Sequence, residues 1–253
     1  MSTQDQDRTR QHAEHTRERS MEADRTSSDE DGRTTFDRDV PSDGRSEATA
    51  QKSISDSEFN KAYISGRPPW DIGQPQPAFV ALAQAGGITG KVLDVGCGTG
   101  ENALFLCQRG LDVLGLDLSS VAIAEARTKA QARGVVVRFM VGSALDLLSL
   151  KETFDTVIDS GLLHILSDAD RARLVAGLQA VLRPEGYLHL LAFNEHATWP
   201  GPRRLTQAEI RTTFEQGWEV EAISASRFEV VDCSSGAEAW LASIRRLPAL
   251  TRD

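Results

Sequence analysis

A chain of 253 residues, 40% hydrophobic and 26% charged, has material for one medium-sized α/β domain plus an appendage. Its net charge of −9 argues against a nucleic-acid groove as the main surface, because phosphate binding needs clustered Lys and Arg. No apolar run approaches the roughly 20 residues that cross a bilayer and no signal-peptide core follows Met1, so a cytoplasmic protein with no membrane partner is expected. The three cysteines, Cys97, Cys107 and Cys233, offer neither a metal spacing nor an even disulfide set.

Residues 1–56 are rich in Asp, Glu, Arg, Ser and Thr, with almost no large apolar side chain before Phe36. Such a segment buries too little surface to offset its chain entropy, which predicts a disordered, mixed-charge tail. The folded domain is expected over 57–253, beginning around Phe59 and Tyr63. Between Pro68 and Pro77 the prolines impose extended backbone and exclude a helix, with Trp70 held in the middle. Pro77 then suits the first turn of a helix through Leu82, ended by Gly86 and Gly87.

The stretch that follows organises the rest. Val92, Leu93 and Val95 make the short apolar run of a buried parallel strand. Gly96, Gly98 and Gly100 break it, and a helical pattern from Ala103 to Leu106 ends at Arg109 and Gly110. Strand, glycine turn and helix place a binding crevice at the carboxyl edge of an open sheet. A dinucleotide turn would need glycine at 101, where Glu101 stands, and a carboxylate at the mouth of a helix is a poor host for a pyrophosphate. Asp94, on the strand, suits a ligand with an ammonium group. Asp117, about 20 residues after the turn, stands where a carboxylate can meet a ribose diol. Glycine turn, amine-facing acid and ribose-facing acid together describe S-adenosylmethionine.

Beyond Asp117, Ser119 or Ser120 can cap a helix with Ala122, Ile123, Ala126 and Ala130 on one face. The β-branched run 135–141 reads as the third strand and the run from Phe154 to Asp159 as the fourth. A helix follows from Asp168, then a turn at Pro184, Glu185 and Gly186, then a fifth strand from Tyr187 to Phe193. The loop 194–205, carrying Trp199, Arg203 and Arg204, is long enough to cover the carboxyl edge. Thr206 and Glu209 have the spacing of a capping box. Residues 218–225 and 239–246 read as a closing antiparallel hairpin. The fold expected is a single Rossmann-like, doubly wound seven-stranded sheet, mostly parallel with an antiparallel last strand.

The run from Val92 to Gly100 followed by Asp117 resembles the first two motifs of class I S-adenosylmethionine-dependent methyltransferases. Pro69, Trp70, Asp71, Gly73 and Pro75 resemble the loop before the first strand in the thiopurine, thiol/halide and related small-molecule methyltransferases, and the whole chain is similar to bacterial relatives of those and of the quinone methyltransferases. The resemblance implies methyl transfer to O, N or S of a small aromatic or heterocyclic molecule. Thiol, sulfide or halide methylation, and a non-catalytic cofactor-binding module, are the alternatives. It further implies cofactor contacts from Trp70, Asp94, Gly96, Gly98, Gly100, Asp117, Leu118, Ser143, Ala144 and Ser160, with Ser143 where the family usually carries an acid for the adenine amine. His164, after the fourth strand, is the candidate base. Asp159 is expected to hold the cofactor or the backbone turn. Trp70, Leu162, Leu163, Phe193 and Trp199 are expected to wall the acceptor, with His196 solvated and Arg203 and Arg204 facing water. No metal is called for, and a monomer or a dimer fits equally.

Overall fold

The computed structural model describes residues 56–248 except 232. The tail read over 1–56 therefore lies, but for Asp56, outside the described residues. Seven strands form one sheet: β1 (Lys91–Val95), β2 (Asp112–Asp117), β3 (Arg138–Val141), β4 (Phe154–Ser160), β5 (Leu182–Phe193), β6 (Trp218–Val230) and β7 (Cys233–Arg246). Their order is β3-β2-β1-β4-β5-β7-β6. Pairing is parallel from β3 to β5, and β7 runs antiparallel to both its neighbours. Among the described residues six α-helices accompany the strands: α1 (Asp56–Ile64), α2 (Pro77–Gln84), α3 (Glu101–Gln108), α4 (Ser120–Ala132), α5 (Asp168–Val181) and α6 (Gln207–Thr213). Chain order runs outward from β1 in both directions, so the turn after β1 lies at the switch point where such sheets bind ligands.

Side chains of the central strands are buried on both faces. On one side Leu93 and Val95 of β1 join Phe154, Leu174 and Leu178; on the other Val92 joins Phe79, Leu104, Ile123 and Ile158. Local chemistry sets the helix starts. The Ser119 hydroxyl accepts from the Ala122 amide at 3.1 Å and donates to Asn60 Oδ1 at 2.7 Å, tying α4 to α1. Thr206 and Glu209 form the expected capping box. Among the described residues no helix is long and apolar enough to cross a membrane.

Three boundaries differ from expectation. The third strand begins at Arg138, not 135: its pairing with β2 starts at the Leu114–Arg138 pair. The Val135 amide instead closes α4 on the Ala130 carbonyl at 3.0 Å, and Val136 is 93% exposed. In β5, Leu182 pairs with Phe154 and Tyr187 with Thr156, so the turn expected at Pro184–Gly186 is a bulge inside the strand, with Glu185 at φ 66°. The closing hairpin is longer than read: Phe228 and Val230 of β6 and Ala237 of β7 are buried and extend it over the second core.

Replacing Thr206 by Ala removes one half of the capping box that starts α6. A loss of about 1 kcal/mol, seen as a fall of roughly 2–4 °C in thermal melting, is the expected outcome.

Candidate active site

A cleft of about 410 Å³ opens at the carboxyl edge of the sheet, within the size range of small-molecule sites. Its floor is the turn after β1. Gly96 and Gly98 take φ of 70° and 53°, where a side chain is strained. A Cβ on Gly98 would come within 2.9 Å of the Tyr63 hydroxyl, so the cradle exists only because no side chain fills it. Asp117 fixes this turn: its Oδ2 accepts from the Gly98 amide at 2.8 Å and its Oδ1 from the Ser119 amide at 2.7 Å. Burial raises its pKa, and the amide bonds pull the other way. Glu101, at the mouth of α3, is neutralised by Arg133 at 2.7 and 2.9 Å and by Lys129 at 3.1 Å.

The Trp70 loop covers one side of the cleft and is stitched down. Asp71 accepts from the Thr99 hydroxyl at 2.9 Å and from the Gly73 amide at 3.0 Å. Buried Gln76 donates to the Glu229 carbonyl and accepts from the Glu229 amide, both at 2.9 Å, and the Val231 amide reaches the Pro69 carbonyl at 2.8 Å. Trp70 itself donates to the Tyr63 hydroxyl at 3.0 Å and stands edge-on to the Phe59 and Tyr63 rings. At 43% exposure it is a wall of the cleft, not a plug in the core.

Of the ten expected cofactor residues, Trp70, Gly96, Gly98, Asp117, Leu118, Ser143, Ala144 and Ser160 line this cleft. The Ser143 hydroxyl also caps the 3-10 turn Ala144–Leu150 by accepting from the Leu145 amide at 3.1 Å. Two stand apart. Gly100 does not line the cleft; a Cβ there would strike Phe139 at 2.6 Å, so its role is close packing of α3 against β3. Asp94 has no exposure and does not line the cleft either, and among the described residues neither of its oxygens has a hydrogen-bond partner. Burial pushes its pKa up to about 8, which the neighbouring Ala103 amide only partly offsets. Asp71, which does line the cleft, is the carboxylate the sequence reading passed over.

The other end of the cleft is apolar. Leu162, Phe193 and Trp199 line it as expected, but Leu163 is fully buried in the first core and does not. Phe228 takes a place there that the shorter hairpin had hidden, although its alternation with Val230 was visible in the sequence. Asp159 serves the backbone turn, accepting from the amides of Leu162 at 2.8 Å and Leu163 at 3.1 Å, and burial lifts its pKa to about 7.

His164 lines the cleft from the 3-10 turn Leu163–Ile165, and its Nδ1 accepts from the Phe193 amide at 3.1 Å. Burial, with the nearby Arg171 and Arg204 charges, lowers its pKa to about 3. A neutral imidazole whose Nδ1 accepts carries its proton on Nε2. In this tautomer the ring presents a donor to the cleft, and the base role expected of His164 would require its proton to sit elsewhere than on Nε2.

Arg203 and Arg204, expected to face water, are half-buried and hold protein partners. Arg203 bridges Asp168 and Glu209, at 2.5 Å each. Arg204 donates to the carbonyls of Ala197, Trp199, Gly201 and Pro202 at 2.7 to 3.3 Å, knotting the loop that holds Trp199 against Phe193. His196 is exposed and does not line the cleft.

A family model described as a methyltransferase domain matches residues 92–186. Over 168 residues, 65% of this chain and 74% of the relative, the chain is 34% identical to the 2-heptyl-1-hydroxyquinolin-4(1H)-one methyltransferase of Mycobacteroides abscessus. A solved structure described as the conversion of a disulfide bond into a thioacetal group during echinomycin biosynthesis is 40% identical, with a TM-score of 0.69 over 76% of this chain and 92% of that one. The Burkholderia thailandensis 1,6-didemethyltoxoflavin-N1-methyltransferase, with bound 1,6-didemethyltoxoflavin and S-adenosylhomocysteine, shares the fold at a TM-score of 0.61 and 24% identity, over 76% of this chain and 87% of that one.

Two measurements check this geometry. Trp70→Ala is expected to leave thermal stability within about 1 kcal/mol, since the indole is half exposed, while weakening S-adenosylmethionine binding by roughly 5- to 30-fold in calorimetry. A destabilised variant with unchanged affinity would return Trp70 to the core. The second concerns pH. Asp94 and Asp159 ionise near 8 and 7 in the folded chain, against an ordinary 3.8. A raised carboxyl pKa contributes stability that is complete below the unfolded value and is lost as pH rises through the folded one. Between about pH 4 and 6.5 this loss is offset by buried His164 and His189, whose pKa values are lowered to about 3 and 4 and whose contribution rises with pH. The net fall in melting temperature is therefore expected from about pH 6.5 to about pH 8, and Asp94→Asn should flatten it.

Proposed function

This chain belongs to the class I S-adenosylmethionine-dependent methyltransferases, and from that premise we propose that it moves a methyl group to O, N or S of a small aromatic or heterocyclic molecule. One observation carries the reading of the acceptor. Beyond the glycine turn the cleft is walled by Leu162, Phe193, Trp199 and Phe228, with His164 as the polar ring among them. A flat, largely uncharged molecule fits such walls better than a sugar phosphate or a peptide. The relatives add support, since the names of two of them refer to a hydroxyquinolinone and a toxoflavin precursor.

S-adenosylmethionine supplies a methyl group on a sulfonium, a leaving group that needs no acid from the protein. The residues present fit it: a glycine cradle that a Cβ would fill, and Asp71 and Asp117 along the cleft for a cationic ligand that carries a diol. In our assignment Asp117 takes the ribose diol with the lone pairs that the Gly98 and Ser119 amides leave free. Asp71 takes the ammonium role that Asp94, below the floor, does not reach. The main chain at Gly96 and Gly98 admits the ligand closely, Leu118, Ser143 and Ala144 border the adenine, and Trp70 covers the sulfonium, with Ser160 at the edge facing the methyl. His164 orients the acceptor. The chain's contribution is alignment and exclusion of water, which the stitched Trp70 loop and the Arg204-knotted loop supply.

The test is transfer of labelled methyl from S-adenosylmethionine by the full chain across phenols, N-hydroxy heterocycles, aromatic and aliphatic thiols, and halides. Flat aromatic acceptors should be labelled well ahead of aliphatic thiols and halides; labelling confined to the latter would overturn the reading. In parallel, Asp117→Asn should cost about 1.5–3 kcal/mol of S-adenosylhomocysteine affinity, roughly 10- to 150-fold, measured by calorimetry. Unchanged affinity would remove Asp117 from the ribose.

A further inference from the structure

The acceptor end of the cleft is arranged to hold negative charge and contains nothing poised to remove a proton. His164 Nδ1 is committed to a main-chain amide of β5, at 3.1 Å. Its Nε2 has no hydrogen-bond partner among the described residues. On that side lies Gly161, at φ 82°, where a Cβ would come 3.2 Å from Nε2, so the absence of a side chain there leaves the N–H room for a ligand.

The charged groups around the ring are sorted by sign. Arg171 approaches from α5 and Arg204 from the knotted loop, and both act on the imidazole as positive charges. Arg171 is 5% exposed; its Nε donates to the Leu163 carbonyl at 3.1 Å, its Nη1 lies 3.6 Å from Asp168, and its Nη2 has no hydrogen-bond partner among the described residues. From β5 and β6 the ring meets Phe193 and Phe228, which are uncharged. The carboxyl of β4, Asp159, is turned onto the Leu162 and Leu163 amides. The remaining carboxylates along the cleft, Asp71, Glu101 and Asp117, belong to the glycine-turn end. The apolar walls alone would disfavour a charge, as they do for the Asp159 carboxyl, but a fixed N–H in front and positive charge from Arg171 and Arg204 act in the opposite direction and favour an anion over its conjugate acid.

Building on the small-molecule reading above, we propose that the acceptor binds as its anion: a flat aromatic or heteroaromatic molecule whose O–H, N–H or S–H has already ionised in water, held by a hydrogen bond from His164 Nε2–H. The proton leaves to solvent before entry. In transfer the acceptor's lone pair forms the bond to the methyl carbon while the carbon–sulfur bond breaks and its electron pair stays on sulfur. Anion and sulfonium become two neutral groups, and no base is consumed. Acceptors are thereby selected by acidity as well as by shape.

The probe is 4-nitrophenol, whose phenolate is coloured, titrated with pH in the presence of the full chain saturated with S-adenosylhomocysteine, so that no turnover occurs. The bound phenol should ionise at least about one pH unit below the free one. His164→Phe should abolish that shift, and His164→Gln, which keeps an N–H at the same reach, should retain most of it. Calorimetric binding of S-adenosylhomocysteine to both variants shows that they are folded. A bound phenol with an unchanged or raised pKa, or a shift that survives in His164→Phe, overturns the proposal. Failure of the probe to bind at any pH overturns the aromatic-acceptor reading itself, and this proposal with it. A second readout separates the two further: across phenols of different acidity, the inflection of kcat/KM with pH should move with each free acceptor's own pKa. An inflection that stays fixed for every acceptor would mean that the enzyme supplies a base, and the anion proposal fails while the methyltransferase reading stands.

Discussion

The Asp117 carboxylate, with one oxygen on the Gly98 amide and the other on the Ser119 amide, is the contact on which the site depends. It ties the turn after β1 to the start of α4 from the end of the strand between them. Parallel pairing of β1 with β2 brings the carboxylate to that height, because the Val95–Leu116 pair puts Asp117 just beyond the last residue of β1. The glycine cradle, the cap at Ser119 and the bond from Ser119 to Asn60 of α1 then follow as one connected frame. A ligand laid on the turn meets a surface already held in shape, so little ordering is left to oppose binding.

The two ends of the cleft differ in electrostatic character for reasons visible in their partners. At the glycine turn Asp117 has no cationic partner among the described residues, while Glu101 is offset by Arg133 and Lys129 and Asp71 lies 3.7 Å from Arg67 and 4.0 Å from Lys129. At the acceptor end the charges behind the apolar wall are guanidinium groups, one of them with an unpartnered nitrogen in the interior. Charges keep their influence longest where water is excluded, so this separation survives in the closed cleft better than it would on an open surface. A cation at one end and an anion at the other would each find a complementary field, and the fields point the two toward each other.

The two covering loops are built in different ways. The Trp70 loop is pinned from outside, by Gln76 and Pro69 bonded to the main chain of β6 and the turn beyond it. The loop 194–205 is knotted from within, its carbonyls gathered by Arg204 while Arg203 anchors it to Asp168 and Glu209. Arginine suits both tasks because its planar fork reaches several oxygens at once. Both loops hold an aromatic side chain along the cleft, Trp70 beside Tyr63 and Phe59 and Trp199 beside Phe193.

What the sequence by itself determined is what depends on short stretches of chain. The glycine turn, the Ser119 cap, the Thr206–Glu209 box, the proline-held Trp70 loop and the alternation of the strands all follow from covalent geometry and from bonds between residues a few positions apart. That was enough to read the doubly wound sheet and the kind of cofactor. Only the tertiary structure decided where β3 starts, since a β-branched run becomes a strand only where a neighbour offers partners. It also decided that Asp94 lies beneath the floor and Asp71 on it, and that Arg203 and Arg204 bind carboxylates and carbonyls in place of water. The role of His164 turned on a main-chain amide 29 residues away, which takes Nδ1 and so sends the proton to Nε2. No local pattern encodes that choice, because the tautomer of a buried ring is set by whichever group the fold brings to its other nitrogen.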